Sequence, residues 1–320
     1  MYFSIIVYVI MSSQPENEIK RVYDLLKQGD YQSAKEVLSE ILVDDLENPE
    51  ILFGLKCTGF WENKLTQISE ITNLFPKGEQ LISGWKEFLY LIDNEKSRYE
   101  QCIYSIKKGV FTQVLEIFQR LLQENTFSKK GAIVGRIGLC YKQLGDYDTA
   151  LRFLGEANLE NPEKASILAE MADCYALCGE EKTSKILFRE AFFINPQDVD
   201  ISVLESELFC RLYSEVIRTG KKDEVAAEWF PVEGVLLGVL NVKRELRALE
   251  VGKLKQNIYA LETELKNEGV EADLIIPRLI NNYFRLIDHY TTVMEDRTKI
   301  NEILLKIKLL NADVYERYTV

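Results

Sequence analysis

The sequence predicts an all-α protein: a solenoid of helix pairs over residues 15–231, then a long antiparallel helical hairpin or coiled coil over residues 232–320. Three observations carry that expectation. Small, aromatic and Asn-Pro positions recur at a constant offset of 34 between residues 131–164 and 165–198. The 320 residues include 7 prolines, a low number that suits helical backbone. Beyond Trp229-Phe230-Pro231 the apolar residues follow a 3–4 rhythm, uninterrupted by proline until Pro277.

The N-terminal extension, residues 1–14, opens with MYFSIIVYVI and turns polar after a second methionine, Met11. No Lys or Arg precedes the apolar run, and it is too short for a hydrocarbon core of ~30 Å. No other run approaches the roughly 18 apolar residues of a spanning helix, so a cytoplasmic protein is expected. The alternative is a membrane- or envelope-associated assembly factor tethered through residues 1–10.

In the two clearest repeats Tyr141 matches Tyr175, Gly145 matches Gly179, Ala157 matches Ala191, and Asn161-Pro162 matches Asn195-Pro196. Each unit reads as two helices. The first, near 131–144, ends at Gly145 as a C-cap; the second, near 148–160, stops before Pro162. Gly138, Ala150 and Ala157 let the helices approach closely, and Tyr141 and Leu154 fill the gaps. The set Gly138, Tyr141, Gly145-Asp146-Tyr147, Ala150, Leu154, Ala157 and Pro162 resembles the tetratricopeptide repeat (TPR) family. The second copy has Ala172, Tyr175, Gly179, Ser184, Phe188, Ala191 and Pro196, without the family's tyrosine after the glycine or its alanine at 184. Both copies have Val134 or Leu168 where the family has an early tryptophan.

Degenerate copies are expected at 15–49, 50–76 and 95–128, because about three stacked units are needed to bury a continuous core. Gly29-Asp30-Tyr31 with Ala34 echoes Gly145-Asp146-Tyr147 with Ala150. Residues 50–76 read as a short helix pair ending at Pro76, followed by an amphipathic helix near 79–92. Gly109, Val114, Phe118 and Leu121 align with Gly145, Ala150, Leu154 and Ala157 at an offset of 36, which sets Gly109 where the clear repeat has its turn glycine. A helix over 199–219 would cap the last repeat.

In the C-terminal region Val239, Val242, Leu246 and Leu249, then Leu254, Ile258, Leu261 and Leu265, predict one stuttered helix closed at Asn267-Glu268-Gly269. It would be roughly 55 Å long. Pro277 opens the return arm, as one helix or two. Residues 1–231 carry 26 positive and 37 negative side chains and residues 232–320 carry 13 and 14, which places a boundary near 231.

A net charge of −12 disfavours binding to nucleic acid. One histidine cannot build a multi-histidine metal site, and the six cysteines contain no C-x-x-C pair. His289 and the acidic pairs Asp44-Asp45 and Glu180-Glu181 read as helix or turn residues. No phosphate loop, nucleophile elbow or other catalytic constellation is present, so no catalytic residue, metal or cofactor is expected.

The TPR resemblance implies a superhelix whose first helices line a groove for a protein or peptide partner. Projected onto this chain, the groove would present Tyr99, Ile103, Leu139, Lys142, Gln143, Asp173, Leu177, Glu207 and Arg211, with Gly135, Ala169, Ala176 and Val203 among them. The Lys and Asn clamp used by chaperone-binding repeats is absent: those places hold Gly135, Leu139, Ala169 and Asp173. The expected role is therefore a scaffold that binds a partner segment in the groove and oligomerises or docks through the C-terminal helices.

Overall fold

A computed structural model describes residues 17–93, 95–124, 130–221, 223–294 and 297–320. The expected extension, residues 1–14, lies outside them. Among the described residues there is no strand, and no helix is long and apolar enough to cross a membrane. The chain divides into two compact units, Met1–Ala157 and Asn158–Val320.

The first unit begins with helix α1, residues 17–28. It continues with α2 (Tyr31–Asp44), α3 (Pro49–Ser69), α4 (Leu74–Asp93), α5 (Glu100–Gln123), α6 (Lys130–Leu144) and α7 (Tyr147–Glu160), the last running just past the division. Caps written in the sequence set several starts. Asp30 accepts from Ser33 N–H, and Asn48 accepts from Glu50 and Ile51 N–H with Pro49 at the first helical position.

The Gly-Asp-Tyr echo folds as the same turn twice. Gly29 (φ 75°) and Gly145 (φ 88°) are left-handed, and the following Asp30 and Asp146 donate N–H back to Leu25 and Tyr141 carbonyls at 3.0 and 2.9 Å. An aromatic chain fills the core: Tyr31 on Trp61, Trp61 and Trp85 on Phe88, and Trp85 on Phe111, with centroids 5.4–5.9 Å apart. The Arg136–Glu79 pair, at 2.6 and 2.8 Å, ties α6 to α4.

Two expectations change here. Residues 50–69 form one continuous helix instead of part of a pair, and Pro76 sits in the first turn of α4 instead of ending a repeat. Its missing N–H falls where helix donors are unpaired anyway. Gly109 is not a turn; α5 runs through it as a single 24-residue helix. A Cβ there would lie 2.3 Å from the Leu26 carbonyl oxygen, so the glycine permits close approach of the end of α1. Residues 95–128 are thus no helix pair.

The second unit contains α8 (Ala165–Leu177) and α9 (Glu181–Ile194), then 3-10 turns at Pro196–Asp198 and Ile201–Val203. It continues with α10 (Glu207–Arg218), α11 (Asp223–Leu236), α12 (Ala248–Glu264), α13 (Ala272–Thr292), α14 (Arg297–Leu310) and α15 (Ala312–Thr319). Gly179 (φ 83°) repeats the turn of Gly145, with Glu180 N–H on Tyr175 carbonyl at 2.8 Å. The expected capping helix is shorter than 199–219, because 3-10 turns occupy its start.

The C-terminal hairpin is the larger correction. Pro231 does not break the chain; it lies inside α11, with Phe230 and Val232 fully buried around it. The fixed φ of proline fits a helix, and the cost is one backbone hydrogen bond. The long first arm is interrupted instead at Gly238 (φ 69°), and residues 237–247 are not helical. Helix α12 has 17 residues and is therefore roughly 25 Å long. Pro277 lies inside α13, and the return stretch comprises α13, α14 and α15.

These helices share one core with the last repeat. Phe188, Phe192, Phe209 and Phe230 are buried together with Leu279, Ile280 and Phe284. The rows Leu246, Leu254, Ile258 and Ile280, Phe284, Ile287 are satisfied inside this unit, so the self-contained coiled coil does not form. A buried Arg189–Asp288 pair joins α9 to α13, and Arg285 joins Glu190 across the same helices. Burial pushes the Asp288 carboxyl up and the Arg189 guanidinium down from their ordinary values, while their mutual attraction opposes both shifts.

Gly109→Ala should destabilise the first unit by about 1–3 kcal/mol in urea unfolding through overpacking. Gly252→Ala, where a Cβ meets nothing within 4 Å in α12, should stabilise the second by about 0.4–1 kcal/mol. Arg189→Met alone should cost about 3–5 kcal/mol in the same measurement, whereas joint Arg189→Met and Asp288→Leu should recover most of it.

Candidate partner-binding groove

The residues projected onto a groove are not all presented to one. In the first unit Tyr99 is the N-cap residue of α5, its ring 5.6 Å from Phe53, and Ile103 is half-buried one turn on. Leu139, Lys142 and Gln143 are buried, together with Ile133, Val134, Ile137, Gly138 and Cys140 of the same helix. Helix α6 is therefore covered over most of its circumference, and these three residues do not line an open face.

Asp173 has a structural task. It is fully buried, and its two carboxylate oxygens accept from Glu205 N–H at 2.9 Å and Ser206 N–H at 2.8 Å. Ser206 is the N-cap residue of α10 and Glu205 precedes it, so Asp173 pins the turn that leads into α10 to α8. Leu177 is half-buried at the end of α8.

Glu207 and Arg211 are exposed, and the structure brings them together. They form an i,i+4 ion pair on α10 and line two adjoining hollows of about 510 and 350 Å³. One wall comes from Ala176, Glu181 and Lys185, the other from Leu237, Gly238 and Val239. Cys210, Leu212 and Ser214 extend the larger hollow along α10. The larger hollow is mainly apolar; the smaller is more polar, with the charge pairs Glu207–Arg211 and Glu181–Lys185, the latter at 3.5 Å, in its lining.

The amphipathic pattern of α10 creates this face. Phe209, Leu212 and Val216 turn inward, which leaves Glu207, Cys210, Arg211 and Ser214 outward. Leu237 is 42% exposed although large and apolar. Burial first, then the negative charges of Asp173 and Glu205, push the Cys210 thiol up, so it stays protonated at neutral pH and is no activated nucleophile.

Residues 237–239 went unseen as a wall because their apolar rhythm reads as continuous helix. The available signal was Gly234 and Gly238, two glycines in VEGVLLGVL, of which Gly238 takes positive φ. His289 is structural: its Nδ1 accepts from Leu246 N–H at 3.2 Å, holding the start of α12 to α13. Among the described residues no cluster of His, Cys, Asp or Glu is placed to hold a metal ion.

Compared with known proteins, the chain matches no family model and no curated sequence.

Asp173→Ala removes two hydrogen bonds to a buried carboxylate and should loosen the turn into α10 by about 1–3 kcal/mol. Faster hydrogen exchange at amides 205–210, with α9 amides unchanged, would show it.

Proposed function

We propose that the protein is a non-catalytic interaction scaffold of TPR-like helix pairs, which holds a partner segment against α10. The observation that carries this reading is the pair of adjoining open hollows over α10, the larger one apolar and the smaller one more polar and edged by Glu207–Arg211 and Glu181–Lys185. An apolar floor supplies burial, and paired charges of both signs on the rim supply orientation. Such a surface suits an amphipathic segment with apolar anchors flanked by Lys and Glu.

The repeat pair α8/α9 supports the TPR-like part through its glycine turn at Gly179 and its small-residue packing at Ala172 and Ala191. Partner binding is assigned to this hollow alone, and not to Leu139, Lys142 or Asp173, which are buried. Oligomerisation through 232–320 drops out of the proposal, since Leu246, Leu254, Ile258, Ile280, Phe284 and Ile287 of the apolar rows are buried inside the unit.

The test compares the wild-type chain with Arg211→Glu and Leu237→Glu, both at exposed positions. A partner recovered from the native cells should be lost from both variants, and its binding segment, as a synthetic peptide, should bind at least ~tenfold more weakly, about 1.4 kcal/mol. Circular dichroism should remain that of the wild type. Undiminished binding by both variants would exclude this hollow.

A further inference from the structure

The second unit holds another cavity, of about 480 Å³, which the partner groove does not use. It is lined by the 235–243 segment, the C-terminal part of α13, and α15. Its size falls within the ~300–1,000 Å³ range of small-molecule sites. Leu240 and Ile287 give it an apolar side.

Four lining residues carry polar groups without a hydrogen bond among the described residues: Asp288 at Oδ1, Lys243 at its ammonium, Tyr318 at its hydroxyl, and Asn241 at its side-chain amide. Their characters differ. Asp288 is already charge-compensated, because its Oδ2 accepts from the buried Arg189 guanidinium. What Oδ1 lacks is an O–H or N–H donor, not a cation. Lys243 lies near enough for its charge to act on Asp288, yet it forms no ion pair among the described residues. It therefore favours an anion. Arg317, a second cation in the lining, is paired with Glu233 at 2.7 Å and adds little net charge. Tyr318 is stacked on Phe284 at 4.4 Å, and burial with the nearby Asp288 charge pushes its hydroxyl up to about 12. It is a neutral donor and acceptor at physiological pH.

We infer that this cavity binds a small hydroxylated organic anion, a carboxylate or a phosphate ester. The anionic group would meet Lys243, and ligand hydroxyls would meet Asp288 Oδ1 and the Tyr318 hydroxyl. The carbon skeleton would lie against Leu240 and Ile287. The inference is independent of the partner-groove reading.

The test is titration calorimetry on the full-length chain. Gluconate serves as the carboxylate arm and glucose 6-phosphate as the phosphate-ester arm, with inorganic phosphate and glucose as controls. At least one hydroxylated anion should bind with Kd below ~1 mM and at least ~tenfold more tightly than either control. Lys243→Gln, at an exposed position, and Tyr318→Phe, which keeps the ring stack, should each weaken it at least ~fivefold with an unchanged circular dichroism spectrum. Binding of neither anion, equal binding of a control, or unchanged affinity in either variant would overturn the inference.

Discussion

Phe209 is the side chain on which the second unit turns. Its ring lies 5.8 Å from Phe188, 6.3 Å from Phe192 and 5.6 Å from Phe230. One residue of α10 thereby touches the second helix of the last repeat and the first helix of the C-terminal group. Each such pair adds about 0.5–1.5 kcal/mol beyond its buried area. Asp173 fixes the same helix at its other margin through backbone amides. With both constraints in place, α10 presents its charged face outward and its position relative to α8 is set. The groove follows from that position.

The polar interactions of this unit add direction to the apolar contact. Glu190 on α9 receives both Arg285 from α13 and Arg244 from the stretch before α12, and Arg244 also binds Glu250 at 2.8 Å. A hydrophobic face alone tolerates sliding; a forked guanidinium on a carboxylate does not. The half-exposed members contribute modest energy. Their joint effect is to set the register of α9, α12 and α13, which in turn places Asp288 beside Arg189.

Much of the helical architecture was legible in local signals. The glycine turns at 29, 145 and 179 act over a few residues and are legible as punctuation, whereas α12 ends at Glu264, ahead of the expected close at Asn267. Gly109, Pro231 and Pro277 misled for one reason. Each has a conformational preference that a helix can satisfy, and only tertiary contact decides between breaking the chain and admitting a close neighbour. The apolar rows of 232–320 were equally ambiguous, since a coiled-coil seam and the inner face of a packed helix share one periodicity. Of the groove residues, Glu207 and Arg211 stayed on the surface. Leu139, Lys142, Gln143 and Asp173 did not, because sequence spacing gives the direction of a side chain but not what covers it.

The stretch from Val235 to Lys243 has two sides. Leu237, Gly238 and Val239 face the hollow over α10, while Leu236, Gly238, Leu240 and Lys243 face the polar cavity beside α13. Beyond Leu236, where α11 ends, it is non-helical and pinned by few backbone bonds, among them Leu240 N–H on Gly234 carbonyl at 2.7 Å. A molecule that orders this strip from one side lowers the entropy still to be lost by a molecule arriving at the other. Thermodynamic reciprocity then requires each occupant to change the affinity of the other by the same factor. The two hollows thus share one strip of backbone, and an occupant of either would be felt at the other through it.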